Sequence, residues 1–404
     1  MSRPKTSRRV FLQAASTAVA VPYVLRSAQS WAADPPRGPI KFVAHRIGHF
    51  RSEACCVADF NNDGKLDIAA GNYLYLAPDW KPRQIREVAG SVDQQGKGYF
   101  DDFMNLPLDV DGDGLLDIVS CSWFKRNITW HRNTGQAGGL WPETLVDTNG
   151  NFEAGDLWDI TGEGKAVHIL PHAEQTFWYE LVQAPGGKRS FAKHMVSEKK
   201  MTWGGGVGDI TGNGRPDIIR PNAWFEAPAD PRHGVWKEHP LALGHLQEGK
   251  VADTPQIWVY DVNGDGLNDI ITGSAHGYGL FWYQQIRQGE QIRWKQHVID
   301  DTWTQAHAMA LADLDGDGVP DIVTGKRFMA HNGSDPDEYG PLGLYWYKLE
   351  RGPQPKWTKY AISYNEGIGA GLNICVADVD GDGDLDIVVT GKFGGPVWFE
   401  SKLK

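Results

Sequence analysis

The sequence predicts an all-β fold: a seven-bladed β-propeller of four-stranded blades, its ring closed by the N-terminal strand completing the last blade. Three observations carry this. One acidic phrase recurs seven times, four strand signals accompany each copy, and the last copy lacks a strand that the N-terminal segment can supply.

The phrase reads DFNNDGKLDIAAG from Asp59, DVDGDGLLDIVS from Asp109, DITGEGKAVHI from Asp159 and DITGNGRPDII from Asp209. It returns as DVNGDGLNDIITG from Asp261, DLDGDGVPDIVTG from Asp313 and DVDGDGDLDIVVTG from Asp378. Successive starts lie 50, 50, 50, 52, 52 and 65 residues apart, the length of one supersecondary unit copied in tandem.

Each unit then divides into four strands. Stretches such as AHAMALADL and LNICVAD precede the acidic loop as a first strand, and DIVTG or DIITG closes it as a second, rich in β-branched residues. A third strand is aromatic and aligns Trp130, Trp178, Trp224, Trp282, Trp346 and Trp398. The fourth reads W-x-x-H-x-I, placing His194, His239 and His297 at one position. After PVWFESKLK the seventh copy has no fourth strand, whereas Phe42 to Ile47 (FVAHRI, with His45) fits that pattern. Closing the ring this way leaves no open sheet edge. Residues that recur at one position from blade to blade are expected to be packing, so these Trp and His residues are read as core.

Carboxylates at loop positions 1, 3, 5 and 9, with Gly at 4 and 6, are Ca²⁺-loop chemistry: hard oxygen ligands on a backbone that glycine lets curl. The expected ligands are Asp59, Asn61, Asp63 and Asp67; Asp109, Asp111, Asp113 and Asp117; and Asp261, Asn263, Asp265 and Asp269. Asp313, Asp315, Asp317 and Asp321, then Asp378, Asp380, Asp382 and Asp386, complete the strong loops. The fourth loop offers Asp209, Asn213 and Asp217 beside Pro216 and is expected to bind weakly. The third, with Val167 at the ninth position, is expected not to bind. About five to six structural Ca²⁺ ions follow.

The loops DVDGDGLLDIV, DLDGDGVPDIV and DVDGDGDLDIV resemble those of FG-GAP/VCBS repeat proteins, whose propellers look like the ligand-binding head of integrin α subunits. The likeness spans residues 40 to 400 and implies fold and Ca²⁺, not activity. A second resemblance lies at the N-terminus. Ser7-Arg8-Arg9-Val10-Phe11-Leu12 followed by AASTAVAVPYVL resembles a twin-arginine export signal over residues 1 to 33, which implies a periplasmic, cell-surface or secreted protein. No run of about 18 apolar residues occurs, so no membrane span is expected.

Without the five basic residues of that leader, the formal net charge moves from −11 to −16. Ca²⁺ would offset most of this acidity, and no basic patch supports a nucleic-acid role. The four Cys (Cys55, Cys56, Cys121 and Cys375) are too few for a disulfide framework and are read as small buried thiols, with Cys56 and Cys375 at equivalent positions of neighbouring blades.

The acidic loops all fall on one face, so the residues that break the repeat on the opposite rim mark the candidate site. Six positions before the first loop Asp stand Glu53, Phe103, Glu153, Trp203, Pro255, His307 and Leu372. Asp101, Asp102 and Trp303 lie nearby, and the loops after the second strands add Asn72, Lys125, His172, Asn222, His276, Lys326, Arg327 and Lys392. The blade-six loop, 326 to 341, is long and polar and is expected to act as a lid.

Carboxylates, imidazoles, cations and Trp faces converging on a channel suit a polyhydroxylated, carbohydrate-like ligand. In a lyase or sugar dehydratase, His307 or His276 would take the proton. Lys326, Arg327 or a metal would steady the developing charge, and Glu53 and Glu153 would orient hydroxyls. Rhamnogalacturonan lyases and fungal aldos-2-ulose dehydratases are similar in using propellers of this kind. Spacing leaves open a rim metal built from His172, His276, His307 and a Glu. No G-x-S-x-G, P-loop, dinucleotide fingerprint or H-E-x-x-H motif is present. The alternative is a non-catalytic adhesion module that binds a surface protein.

Overall fold

The computed structural model describes residues 34–403 apart from 137, 149 and 185; the expected leader over 1–33 lies outside them. Among the described residues, seven four-stranded antiparallel sheets follow one another, and no helix is long and apolar enough to cross a membrane. Blades one to seven begin with Cys55–Ala58, Met104–Leu108, Ala154–Trp158, Gly206–Gly208, Trp258–Tyr260, Ala306–Ala312 and Ile374–Ala377. The seventh blade takes its fourth strand from Phe42–Phe50, which pairs with Gly395–Ser401 and puts His45 opposite Trp398. The ring therefore closes as the sequence predicts.

Packing between blades explains the β-branched second strands. Asp321–Lys326 is buried at every position because a neighbouring blade covers each sheet face. Val323, Trp346 and Ile362 of blade six share one core with Val389, Val397 and Phe399 of blade seven. Each such Val or Ile side chain stabilises the ring by about 1.5–3 kcal/mol.

The W-x-x-H pattern is a cross-strand pair. Trp178 faces His194, Trp224 faces His239 and Trp282 faces His297, with ring centroids 4.1, 3.9 and 4.2 Å apart and nearly parallel planes. In blade six, Tyr360 takes the His place opposite Trp346 at 5.0 Å.

On the face away from the acidic loops, backbone bonds lace the blades together. The Leu372 amide donates to the Glu53 carbonyl at 2.8 Å, and the Ile257 amide to the Gly205 carbonyl at 2.9 Å. Glycine permits this approach: a Cβ on Gly371 would lie 2.3 Å from the Glu53 carbonyl oxygen. A small hairpin, Gly90–Val92 with Gly98–Phe100, joins blades one and two on this rim.

Candidate functional site

The acidic loops are first of all structural. In the regular blades the ninth-position Asp is fully buried at the start of the second strand, with both oxygens accepting hydrogen bonds. Asp269 takes the Val262 amide at 3.2 Å, the Gln285 amide at 2.8 Å and the Trp282 indole N–H at 2.8 Å. Asp321 likewise takes the Leu349 amide at 2.9 Å and the Trp346 indole at 2.7 Å. One carboxylate thus ties the loop to the recurring Trp of the third strand. Burial raises these groups, Asp269 to about 6 and Asp321 to about 7, and positive charge nearby would favour their ionised form.

The donor sets fit a hard divalent cation. In blade two Asp109, Asp111 and Asp117, in blade six Asp313, Asp315 and Asp317, and in blade seven Asp378, Asp380 and Asp386 bring carboxylate oxygens within 4.8 Å of one another. Protein cations reach two of these loops. Arg132 contacts Asp111 and Asp113 at 2.5 and 3.1 Å, and the Lys348 ammonium lies between Asp315 and Asp317.

Blade three departs from the sequence expectation in one residue. The place of the ninth Asp is held by His168, not Val167, because that loop is one residue longer. His168 begins the second strand, and its Nδ1 lies 3.2 Å from the Ile160 amide, while Val167 is exposed. Glu163 of this loop is paired with Arg232 at 2.9 Å.

On the opposite rim, residues from four blades meet. Arg327, at the end of the second strand of blade six, is fully buried. It grips Glu53 of blade one in two bonds of 2.7 and 3.1 Å and reaches Glu153 of blade three at 3.3 Å. Burial opposes its charge, but the two carboxylates outweigh that and raise it. Glu153 also lies 3.5 Å from His307 Nε2, and the His307 ring meets His276 edge to face at 4.3 Å. Glu153, His276 and His307 each present a ligand atom within 4.8 Å of the others.

His307 is 4% exposed, and neither ring nitrogen has a hydrogen-bond partner. Burial, then the Arg327 charge, holds it well below the ordinary imidazole range, so it stands neutral with an open lone pair.

The blade-six loop completes the cluster. Asp335 accepts Nδ1 of His276 through one oxygen and Nδ1 of His331 through the other, both at 2.9 Å, and the two imidazoles stack at 3.9 Å. Burial raises this carboxyl, but the two histidine bonds outweigh it and leave Asp335 well below the usual range. His331 is raised by the same bond.

The loop is held from several sides. Glu338 accepts the amides of His331 and Asp335 at 2.8 and 2.9 Å, the Tyr99 hydroxyl donates to the Ala330 carbonyl at 2.5 Å, and the Gly98 amide to Asn332 at 2.9 Å. Lys392 of blade seven donates to the Met329 carbonyl at 2.7 Å with its ammonium 3.5 Å from the Tyr99 ring centre. Burial brings Lys392 down to about 8. This loop is a fastened wall that delivers His331 and Asp335, where the sequence had pointed to a lid.

Of the rim residues expected from sequence, Glu153, His276, His307 and Arg327 converge as predicted. Glu53 converges too, but Arg327 occupies both its oxygens, so it orients Arg327, not a substrate hydroxyl. Lys326 bonds the Asp337 carbonyl and carboxylate and is a loop fastener, not an electrophile. Trp303 belongs to the core: it is 7% exposed and donates to the Tyr347 hydroxyl at 2.7 Å. Asp102 is buried in an ion pair with Arg86 at 2.8 Å, and Asn222 caps the Thr202 amide.

Asp101 accepts Ser122 and the Phe124 and Lys125 amides, which leaves the Lys125 side chain exposed on that turn. His172 is buried 3.8 Å from Asp156, held down to about 3 by burial. Trp203 packs on Trp123 at 5.4 Å, and Tyr99 on Phe124 at 5.6 Å, two aromatic pairs that meet at successive residues of one turn. Sequence reasoning missed His331, Asp335 and Tyr99. The H-x-x-x-D spacing within the long loop was a signal for the first two.

Residues 261–324, spanning the fifth acidic loop to the second strand of blade six, match the family described as FG-GAP-like repeat. The same loop and strand order recur around the ring, with a buried Asp at the start of the second strand in every blade but the third. The protein is a seven-bladed β-propeller with a segment, residues 261–324, that matches the FG-GAP-like repeat.

Proposed function

We propose that the rim opposite the acidic loops binds a divalent cation and a polyhydroxylated, carbohydrate-like ligand. On this reading the protein is a polysaccharide lyase or sugar dehydratase that removes a carbon-bound proton, exported by the twin-arginine route and stabilised by Ca²⁺ in its regular loops. The observation that carries this reading is His307, a buried imidazole with both nitrogens unpartnered, facing Glu153 and His276. A buried polar group without a partner is costly, and a cation shared with a carboxylate and a second imidazole removes that cost.

The charge inventory agrees. Glu53, Glu153, Asp335, Asp337 and Glu338 are five carboxylates, set against the cations Arg327, Lys326 and Lys392. The carboxylates outnumber these cations, an excess that a bound dication would offset.

In this arrangement Glu153, His276 and His307 hold the ion, and Asp335 fixes the His276 tautomer so that Nε2 faces inward. A cation there would draw charge from a ligand hydroxyl or carbonyl. Arg327 holds Glu153 in place. His331, half-exposed and raised by Asp335, is suited to move the proton between ligand and solvent. The Tyr99, Phe124, Trp123 and Trp203 flank offers faces against which sugar rings pack.

The test is a metal analysis of the purified protein, followed by a screen of oligosaccharides and keto-sugars for an unsaturated product, with His307→Ala alongside. One transition-metal equivalent lost in that variant, together with loss of product, is the expected result. A rim that binds neither metal nor sugar would instead favour a non-catalytic adhesion module with a surface-protein partner.

A further inference from the structure

The two ends of the ring meet at a pair of thiols. Cys55, in the first strand of blade one, and Cys375, in the first strand of blade seven, place their sulfurs 3.9 Å apart across the closing junction. The arrangement is specific to Cys55. Neighbouring residues of a strand point to opposite faces. Cys55 therefore packs with Val388 and Trp398 of blade seven, while Cys56 turns away to Ala58, Phe60 and Ile118 toward blade two. Cys121 lies in a third core, with its sulfur 3.7 Å from the Phe152 carbonyl. Cys56 and Cys375 hold equivalent positions in their blades, and it is the residue next to Cys56 that approaches Cys375.

Asn373 holds the junction in register. Its Oδ1 accepts the Cys55 amide at 3.0 Å, and its Nδ2 donates to the Cys55 carbonyl at 2.6 Å, so the side chain acts as a strand partner for Cys55. The same Nδ2 lies 3.5 Å from the Cys375 sulfur.

We infer that Cys55 and Cys375 form a disulfide site that covalently joins the first and last blades. The chemistry is thiol–disulfide exchange with an external disulfide. Cys375 is partly exposed and attacks as its thiolate, forming a mixed disulfide and releasing one external thiol. Cys55, fully buried beside it, then displaces the second external thiol and forms the S–S bond. Two protein thiols are oxidised by two electrons, the external disulfide is reduced to two thiols, and the two protons leave with them. The sulfurs approach by roughly 2 Å to reach the bonded distance near 2 Å, which side-chain rotation on two facing strands can supply.

The link would close a loop between positions 320 residues apart. It lies two residues from Glu53, whose carbonyl already takes the Leu372 amide across the same junction. The constraint acts mainly on the unfolded chain.

The experiment uses the native wild-type protein incubated with oxidised glutathione. Intact mass should fall by about 2 Da, titratable thiols should drop from four to two, and non-reducing peptide mapping should join the Cys55 and Cys375 peptides. The thermal midpoint should rise by about 5 °C over the phosphine-reduced protein. Cys56→Ser should keep both changes, and Cys375→Ser should lose both. Four free thiols after prolonged exposure would overturn the inference. So would linkage through Cys56 or Cys121, or glutathione adducts alone. The wild-type measurements decide the question even if a variant does not fold.

Discussion

Replacing Arg327 with Met removes the cation on which two carboxylates from other blades depend. Arg327 is 1% exposed, Glu53 is likewise 1% exposed, and their two bonds are 2.7 and 3.1 Å long. Removing one partner of such a buried pair leaves uncompensated charge and costs about 3–5 kcal/mol. Unfolding entropy of about 2.1 cal/mol/K per residue, over roughly 370 residues, gives about 0.8 kcal/mol/K. A loss of about 4 kcal/mol therefore lowers the thermal midpoint by about 5 °C.

The assay is calorimetry and urea unfolding of wild type, Arg327→Met, Glu53→Gln and the double variant. The double variant should be more stable than the sum of the single losses implies, with a coupling of about 2 kcal/mol or more. Additivity within about 0.5 kcal/mol, or a single-variant loss below about 1 kcal/mol, would refute the idea that this ion pair holds the rim together.

Lys392 has a folded-state value near 8 against 10.5 when free, so the unfolded chain binds the extra proton between those values. Stability from this group accordingly rises as pH climbs from 8 to 10.5, by at most about 3 kcal/mol, and Lys392→Met should flatten that rise in urea midpoints across the range. Asp335→Asn should weaken binding of a divalent transition metal about 10- to 100-fold by calorimetric titration; unchanged affinity would remove Asp335 from the site. Lys348→Met should tighten Ca²⁺ binding at the blade-six loop, because its ammonium now lies between Asp315 and Asp317; weaker binding would show that Lys348 supports the loop instead.

Fold and loops were legible in the sequence because repetition turns a weak local signal into an aligned one. Residues like Asp269, Trp282 and His297 recur in the same order from blade to blade, and in the structure these three form one linked hydrogen-bond and stacking unit. The rim was legible only in part. Glu153, His276 and His307 could be found as departures from the repeat, but spacing does not tell a free side chain from one already engaged. Glu53, Lys326 and Trp303 looked as available as His307 until their partners were visible. Trp303 was misplaced because the fourth strand of blade five, Gln291–Thr304, runs on past the expected blade edge and carries it into the core. Val167 was misaligned because one extra residue in the loop shifts the register, a change that counting from the first Asp cannot detect.

The Arg327–Glu53 pair joins residues 274 positions apart, between blade six and blade one. Contacts of that span cannot precede the blades between them, since the loop-closure entropy is met only once intervening structure has formed. During synthesis Glu53 emerges early and waits for a counter-ion made most of a chain later. The rim cluster is thus a late product of folding, and the appearance of its ion pair would time the completion of the whole ring.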